Sequence, residues 1–339
     1  MPEIRKEITK GLWTILAPTR GERPFDFSSE SGSKTDKEVD PNCPFCPGNE
    51  SETPSEVSSI RTEKEDETSW MVRVFPNKFP ALDSEGSSAV IEGDVFKSMG
   101  GLGYHEVLAE TPRHDRELVD LSVEELELVI RTYLNRFRDL SEKPKIKYVS
   151  IFKNRGRQAG ASLEHSHSQI MGTTFLPKML QQEYDLAESY RNESGSCLYC
   201  DVIRAEKREE ARVVLENDAF IVICPYGSRF PYETRVLPKR HSSVFSDLSN
   251  EERNQLSAAL KRTLSALTER LGSFPYNFTF HTAPYGLSGG EPESEMSYHW
   301  HLEIMPRITT PAGFEWGTDN FINIVSPEKA AEELRRQVT

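Results

Sequence analysis

Long apolar runs are missing from this chain. No stretch approaches the ~20 residues that a membrane-spanning helix needs, and the opening Met-Pro-Glu-Ile-Arg-Lys-Glu has no apolar leader region. A cytoplasmic protein with no membrane partner is the expectation. Positive charge is also in deficit, with 41 Lys+Arg against 54 Asp+Glu and a formal charge of −13. That argues against nucleic acid as a partner, because a basic surface supplies most of such affinity. A small anion in a locally basic pocket stays compatible with it. Cysteine is sparse: the chain has five in 339 residues, too few for a disulfide scaffold and more consistent with metal or redox work. Aromatics are not scarce, and 17 Phe with 11 Tyr exclude a disordered chain.

Four of the five cysteines form two C-x-x-C pairs, Cys43/Cys46 and Cys197/Cys200, separated by 154 positions. A repeat follows from them. His105-Glu-Val-Leu-Ala-Glu-Thr-Pro-Arg-His114 matches Tyr232-Glu-Thr-Arg-Val-Leu-Pro-Lys-Arg-His241 at an offset of 127. After each stands a Ser (Ser122, Ser249) with Glu three residues on, a capping box that predicts helices over 123–140 and 250–271. Strand-like runs follow, Ile146–Lys153 and Tyr276–His281, and each half then reaches a His-x-His, His165/His167 and His299/His301. The chain therefore reads as α+β: two duplicated units, each a mainly antiparallel sheet with one long helix, related by a pseudo-two-fold axis. The units are 1–178, catalytic, and 179–339, structural and pocket-completing. The polar stretch 178–196 reads as the boundary, and 28–42 and 286–297 as mobile loops.

Thiolate and imidazole are the usual zinc ligands, and structural sites are four-coordinate. Cys43, Cys46, His114 and His165 make one such set; Cys197, Cys200, His241 and His299 make the other. A DNA-binding finger does not fit, since Cys46 and His114 are 68 positions apart. A thioredoxin-like redox pair fits less well than zinc, because it would not come twice with matching histidines. The second site could hold iron instead, supported by Glu183, His281 and His301. Cys224 reads as a small buried apolar residue.

The richest segment runs from Tyr148 to Gln169. A strand leads into a loop with Gly156 and Gly160, whose backbone N–H groups could approach a phosphate. On the strand that follows, His165, His167 and Gln169 alternate and share a face. With His165 on a metal, His167 is the free imidazole, a competent nucleophile at neutral pH. Gln169, Ser162 and Asn154 would hold phosphoryl oxygens. In the second half Glu303 stands where Gln169 stands, with no Gly-rich loop before it, so only the first half reads as active. Lys78, Lys153, Arg155 and Arg157 join Arg20 and Arg23 in segments assigned to the pocket, which should be locally basic.

With these residues the chain resembles the galactose-1-phosphate uridylyltransferase family of the histidine-triad superfamily, over nearly its whole length. Ala17-Pro-Thr-Arg20-Gly-Glu-Arg23-Pro, Cys43-Pro-Phe-Cys46-Pro-Gly, Phe75-Pro-Asn77-Lys78-Phe-Pro, Asn154-Arg-Gly and His165-Ser-His167-Ser-Gln169 carry the likeness. Ser166 departs from the family's usual proline. The resemblance implies ping-pong nucleotidyl transfer from a nucleotide sugar (UDP-glucose) to a hexose 1-phosphate through nucleotidyl-His167. It implies Arg20, Arg23 and Asn154 at the diphosphate, Asn77 and Lys78 near the nucleoside, Glu315 on sugar hydroxyls, and zinc bracing His165. It admits a homodimer. The complete second Cys2His2 set and the lysine-free Ile308–Ala312 look more like the ADP-glucose phosphorylase branch, with inorganic phosphate as acceptor. A nucleotide hydrolase, with water as acceptor, and a non-enzymatic zinc-stabilised binding module compete with transfer.

Overall fold

The computed structural model describes residues 2–7, 9, 12–19, 37–62, 69–284 and 297–338. Strands β1 (Glu3–Glu7), β2 (Leu12–Leu16), β3 (Ser58–Arg61), β4 (Trp70–Pro76), β5 (Val90–Glu92), β6 (Lys97–Gly100) and β7 (Gly103–Ala109) precede helix α1 (Val123–Ser141). Next come β8 (Tyr148–Arg155), β9 (His167–Thr173), α2 (Lys178–Ser194) and α3 (Leu198–Glu209). The second half adds β10 (Val213–Glu216), β11 (Phe220–Ile223), β12 (Thr234–Pro238), α4 (Asn250–Leu271), β13 (Tyr276–His281) and β14 (His301–Pro306). Helices α5 (Gly313–Thr318) and α6 (Pro327–Arg335) close the order.

Both long helices start as their sequence predicts. Ser122 Oγ accepts from Glu125 N at 3.2 Å while Glu125 Oε2 accepts from Ser122 N at 2.7 Å, and Ser249 with Glu252 repeats the exchange. Along α1, Leu126, Val129, Ile130, Tyr133, Leu134, Phe137 and Leu140 form the buried stripe.

The α+β reading holds, and the way the two sheets meet is the structure's addition. Ten strands form one antiparallel sheet in the order β10-β11-β12-β14-β13-β8-β9-β7-β4-β3, while β2-β1-β6-β5 form a small second sheet. At the centre β13 pairs with β8, its counterpart in the repeat, from Tyr276 opposite Arg155 to Phe280 opposite Ile151. The five strands on either side of that seam correspond one to one, β8/β13, β9/β14, β7/β12, β4/β11 and β3/β10, which is the pseudo-two-fold arrangement. Helices α1 and α4 pack together over the seam, where Arg253 Nε bonds Glu127 Oε1 at 2.8 Å. One apolar cluster from Val72 to Leu334 joins both halves beneath them.

The polar boundary stretch is helical: α2 spans it and ends at Gly195, whose φ of +72° suits the left-handed cap. Its pattern concealed this, because only Leu180 and Ala187 are buried. Of the two expected loops, 28–36 and 286–296 lie outside the described residues.

Candidate active site and metal centres

Strands β7 and β9 lie side by side, with Val107 opposite Gln169 and Ala109 opposite His167. Leu108 and Ile170 face the helix-covered core, so alternation turns Val107, His167 and Gln169 to the other face. There they line a cavity of about 460 Å³ with Phe45, Phe75, Asn77, Lys78 and Ser162. His167 is buried, and its Nδ1 lies 2.7 Å from the His165 carbonyl. A carbonyl only accepts, so Nδ1 carries the ring proton and Nε2 keeps a lone pair. Burial, then the charge of Lys153, pushes the pKa of His167 down to about 4, which leaves the ring neutral at pH 7.

The first metal set is assembled from four separate places in the chain. Cys43 and Cys46 come from a turn, His114 from beyond β7 and His165 from the residues before β9. Their ligand atoms lie within 4.8 Å of one another and all four residues are buried. His165 Nε2 donates to Thr111 O at 2.8 Å, so its Nδ1, facing both sulfurs, is the unprotonated nitrogen a metal requires. Backbone N–H groups of Asp40 and Phe45 point at the Cys46 and Cys43 sulfurs, at 3.3 and 3.4 Å. The hydrogen bond from the Cys43 thiol beside it pulls the Cys46 thiol below its usual range. The second set repeats the arrangement: His299 Nε2 donates to Pro238 O at 2.9 Å and turns Nδ1 toward Cys197 and Cys200, with His241 Nδ1 at 3.6 Å from Cys200. Cys197 is the N-cap of α3, so this C-x-x-C opens a helix rather than a free knuckle. Both donor sets fit a tetrahedral zinc.

Other expected site residues fall elsewhere. Asn154 does not line the cavity; its Oδ1 accepts from Asn277 Nδ2 at 2.8 Å across the central seam. Glu315 sits on α5 and accepts from Ala312 N at 2.9 Å, as a helix-capping residue outside the cavity. In the Gly-rich loop, Gly156 and Gly160 do take positive φ (+80° and +87°). However, the N–H groups of Ala159 and Ala161 donate to Gly156 O, and that of Gly160 to Arg157 O. The tight turn thus uses the donors expected for phosphate. The basic pocket is also thinner than expected. Among the described residues Lys78 is the basic one that lines it, Arg157 is exposed, Arg155 pairs with Glu117 at 3.4 Å, and Arg20 and Arg23 lie outside the described residues.

Lys153 is the largest displacement from expectation. It is buried under His167 on the helix side of the sheet. Its Nζ donates to Glu110 Oε2 at 2.6 Å, Ser166 Oγ at 3.0 Å and the His167 carbonyl at 3.1 Å. Burial opposes ionisation of Glu110. The Lys153 ammonium and the Ser166 and Ser168 hydroxyls outweigh it and hold the carboxyl below its usual range.

A family model described as "Galactose-1-phosphate uridyl transferase, N-terminal domain" matches residues 1–177. The chain belongs to the galactose-1-phosphate uridylyltransferase family. A further model, of a domain of unknown function, matches residues 110–339. The chain is 33% identical over 337 residues to an ADP-glucose phosphorylase of Arabidopsis thaliana, covering 98% of this chain and 92% of that one. It is 31% identical over 344 residues to a galactose-1-phosphate uridylyltransferase of Thermotoga maritima, covering 99% and 98%. Among solved structures, a uridylyltransferase superposes with a TM-score of 0.80 at 28% identity, covering 99% and 98%. An Arabidopsis thaliana ADP-glucose phosphorylase with bound ADP-glucose gives 0.75 at 32%, covering 99% of each chain.

The two halves of this uridylyltransferase-family chain share the imidazole arrangement but not the surroundings. His301 Nδ1 donates to His299 O at 3.1 Å, as His167 does to His165. The 127-residue offset would set Thr234 opposite Glu303, as Val107 is opposite Gln169; instead Arg235 stands there. A one-residue slip exchanges the faces of a strand. Arg235 and Arg229 both pair with Glu303, and Glu183, His281 and His301 gather beside it. That carboxylate–imidazole group is distinct from the second Cys2His2 set. Its Glu303 is already neutralised by the two guanidiniums.

Sequence reasoning missed Glu110 and His105 as parts of this site, and put Lys153 in the pocket instead of beneath it. Only His105 left a legible signal, since on β7 it alternates with Val107 and Ala109.

Proposed function

We propose that the chain transfers a nucleoside monophosphate from UDP-glucose to a hexose 1-phosphate by double displacement at His167. Nε2 attacks the α-phosphorus, the bond to the sugar-phosphate oxygen breaks, and sugar 1-phosphate leaves. The N–P bond then yields to an oxygen of the acceptor phosphate, which restores neutral His167. Throughout, the proton stays on Nδ1, where the His165 carbonyl offsets the positive charge that the ring gains. Gln169 and Ser162 donate to phosphoryl oxygens. Asn77 and Lys78 take the nucleoside end, and Arg20 and Arg23 the diphosphate. In this reading 1–178 is the catalytic unit and 179–339 the structural, pocket-completing one. The observation that supports it best is a neutral imidazole with a fixed Nδ1–H, lining the same cavity as Gln169 and Ser162.

Adenylyl transfer from ADP-glucose to inorganic phosphate is the second reading. The complete second Cys2His2 set and the Arabidopsis relative favour it. The test supplies UDP-glucose and ADP-glucose, each with galactose 1-phosphate, with inorganic phosphate and with neither. UDP-glucose consumed only with galactose 1-phosphate is the expected result, and ADP from ADP-glucose plus phosphate establishes the second reading. Release of free nucleoside monophosphate without any acceptor makes the chain a hydrolase and overturns both.

Both Cys2His2 sets are assigned zinc, which would clamp His165 and His299, each two residues before its imidazole partner. Metal analysis should find two zinc per chain, one per set, and Cys43→Ser should remove one of them. Iron in stoichiometric amount would move the second assignment to the Glu183, His281 and His301 group.

A further inference from the structure

His105 stands on β7 beside the cavity, buried, and takes no part in the transfer steps themselves. Its two ring nitrogens have different partners. Ala81 N–H donates to Nδ1 at 3.0 Å, so Nδ1 holds a lone pair and the neutral ring carries its proton on Nε2. That Nε2 lies 2.9 Å from Gln169 Oε1. Two amide orientations are open to a glutamine, and only one presents an oxygen to an N–H donor. Gln169 is therefore held with its carbonyl toward His105 and its NH2 on the other branch, available to the cavity it lines. Asn77 is fixed too, since its Oδ1 accepts from Phe79 N at 2.9 Å, which leaves its Nδ2 3.3 Å from His105 Nε2, beside the shorter contact to Gln169.

We propose that His105 is a positioning residue of the transfer site: it locks the Gln169 amide so that an N–H, not a carbonyl oxygen, meets the phosphoryl group. A carbonyl oxygen there would repel the phosphoryl oxygens at the stage where their charge needs a donor. This rests on the reading of His167 as nucleophile and Gln169 as donor.

The test is a set of substitutions chosen by atom position. His105→Asn keeps an acceptor near the Nδ1 position for Ala81 and loses the donor to Gln169. His105→Gln keeps a donor near the Nε2 position. Removing one oxyanion donor lowers kcat by roughly 10²–10³-fold, so Gln169→Ala should fall in that range. His105→Asn should lower kcat by about 10-fold or more with little change in KM, and His105→Gln should recover most of it. In the Gln169→Ala background His105→Asn should cost nothing further, because the residue acts through the amide. Equal losses in both backgrounds, or an Asn variant as fast as wild type, overturn the proposal. Gln169→Glu asks the same question without altering His105, since it can accept from Nε2–H but cannot donate; wild-type rates there also overturn it. A Gln169→Ala variant of undiminished rate would instead defeat the donor role in the underlying reading, and labelling of His167 reports on the nucleophile separately.

Discussion

His167→Asn should abolish nucleotide transfer, with kcat falling by roughly 10⁴–10⁶-fold, as expected when a covalent nucleophile is lost. Asparagine still offers an N–H to the His165 carbonyl, so the strand start and the Cys43, Cys46, His114 and His165 set should persist. What disappears is the Nε2 lone pair. Incubation with nucleotide sugar labelled at the α-phosphorus should leave one label per wild-type chain and none on the variant. The label should be acid-labile and base-stable, as an N–P bond is. It should leave on addition of the second phosphate substrate, at a rate no slower than turnover. A wild-type chain that turns over without label, or an equally labelled variant, would remove the covalent step while leaving the cavity and its ligands in place. Neutrality of the ring is part of this expectation: desolvation and Lys153 both disfavour an imidazolium, so no proton has to be shed before attack.

Lys153→Met should destabilise the fold by about 3–5 kcal/mol, the usual consequence of leaving a buried partner charge unpaired. The partner is Glu110, whose side chain is 0% exposed against 1% for Lys153, so water cannot replace the ammonium. Methionine fills much the same volume, which separates the charge effect from a packing effect. The double variant Lys153→Met/Glu110→Gln should regain most of the loss, because the amide keeps partners among Ser166, Ser168 and Tyr133 without carrying charge. Denaturant unfolding of wild type, single and double variants checks this. A single variant within about 1 kcal/mol of wild type, or a double variant no better than the single, contradicts it. The sign with pH follows from the depressed carboxyl of Glu110. Its stabilisation is complete above the unfolded-state pKa and is lost as pH falls through the lower folded-state value. Lys153 also holds the His167 carbonyl, so the single variant tests whether the backbone beneath the nucleophile needs this support.

Several features were legible because their chemistry is local or repeats. Ser122 with Glu125 and Ser249 with Glu252 announce helix starts within four residues. The Cys43/Cys46 and Cys197/Cys200 pairs, each trailed by two histidines, name their own ligand sets. His167 and Gln169 declare a common face by their spacing alone. Other features escaped because nothing near them in sequence carries the information. That Asn154 Oδ1 accepts from Asn277 shows only once β13 is laid against β8. The N–H groups around Gly156 and Gly160 read as free donors until the turn closes and satisfies them internally. The helix within the 178–196 boundary stretch went unread because a helix with little buried surface leaves a weak periodic trace.

The sequence alone determined the duplicated α+β unit, both Cys2His2 sets, the identity of the candidate nucleophile and the absence of a long apolar span. These follow from residue type and short-range spacing, which survive any arrangement of the units. The tertiary structure alone decided that the two sheets fuse through β8 and β13, that β12 slips by one residue so that Arg235 confronts Glu303, and that Lys153 lies beneath His167 rather than in the pocket. It also decided that His105 Nε2 faces Gln169 Oε1. Strand partners and register are set by which distant segments bury their faces together. A lysine or an imidazole takes its role from whatever stands opposite it once they have done so.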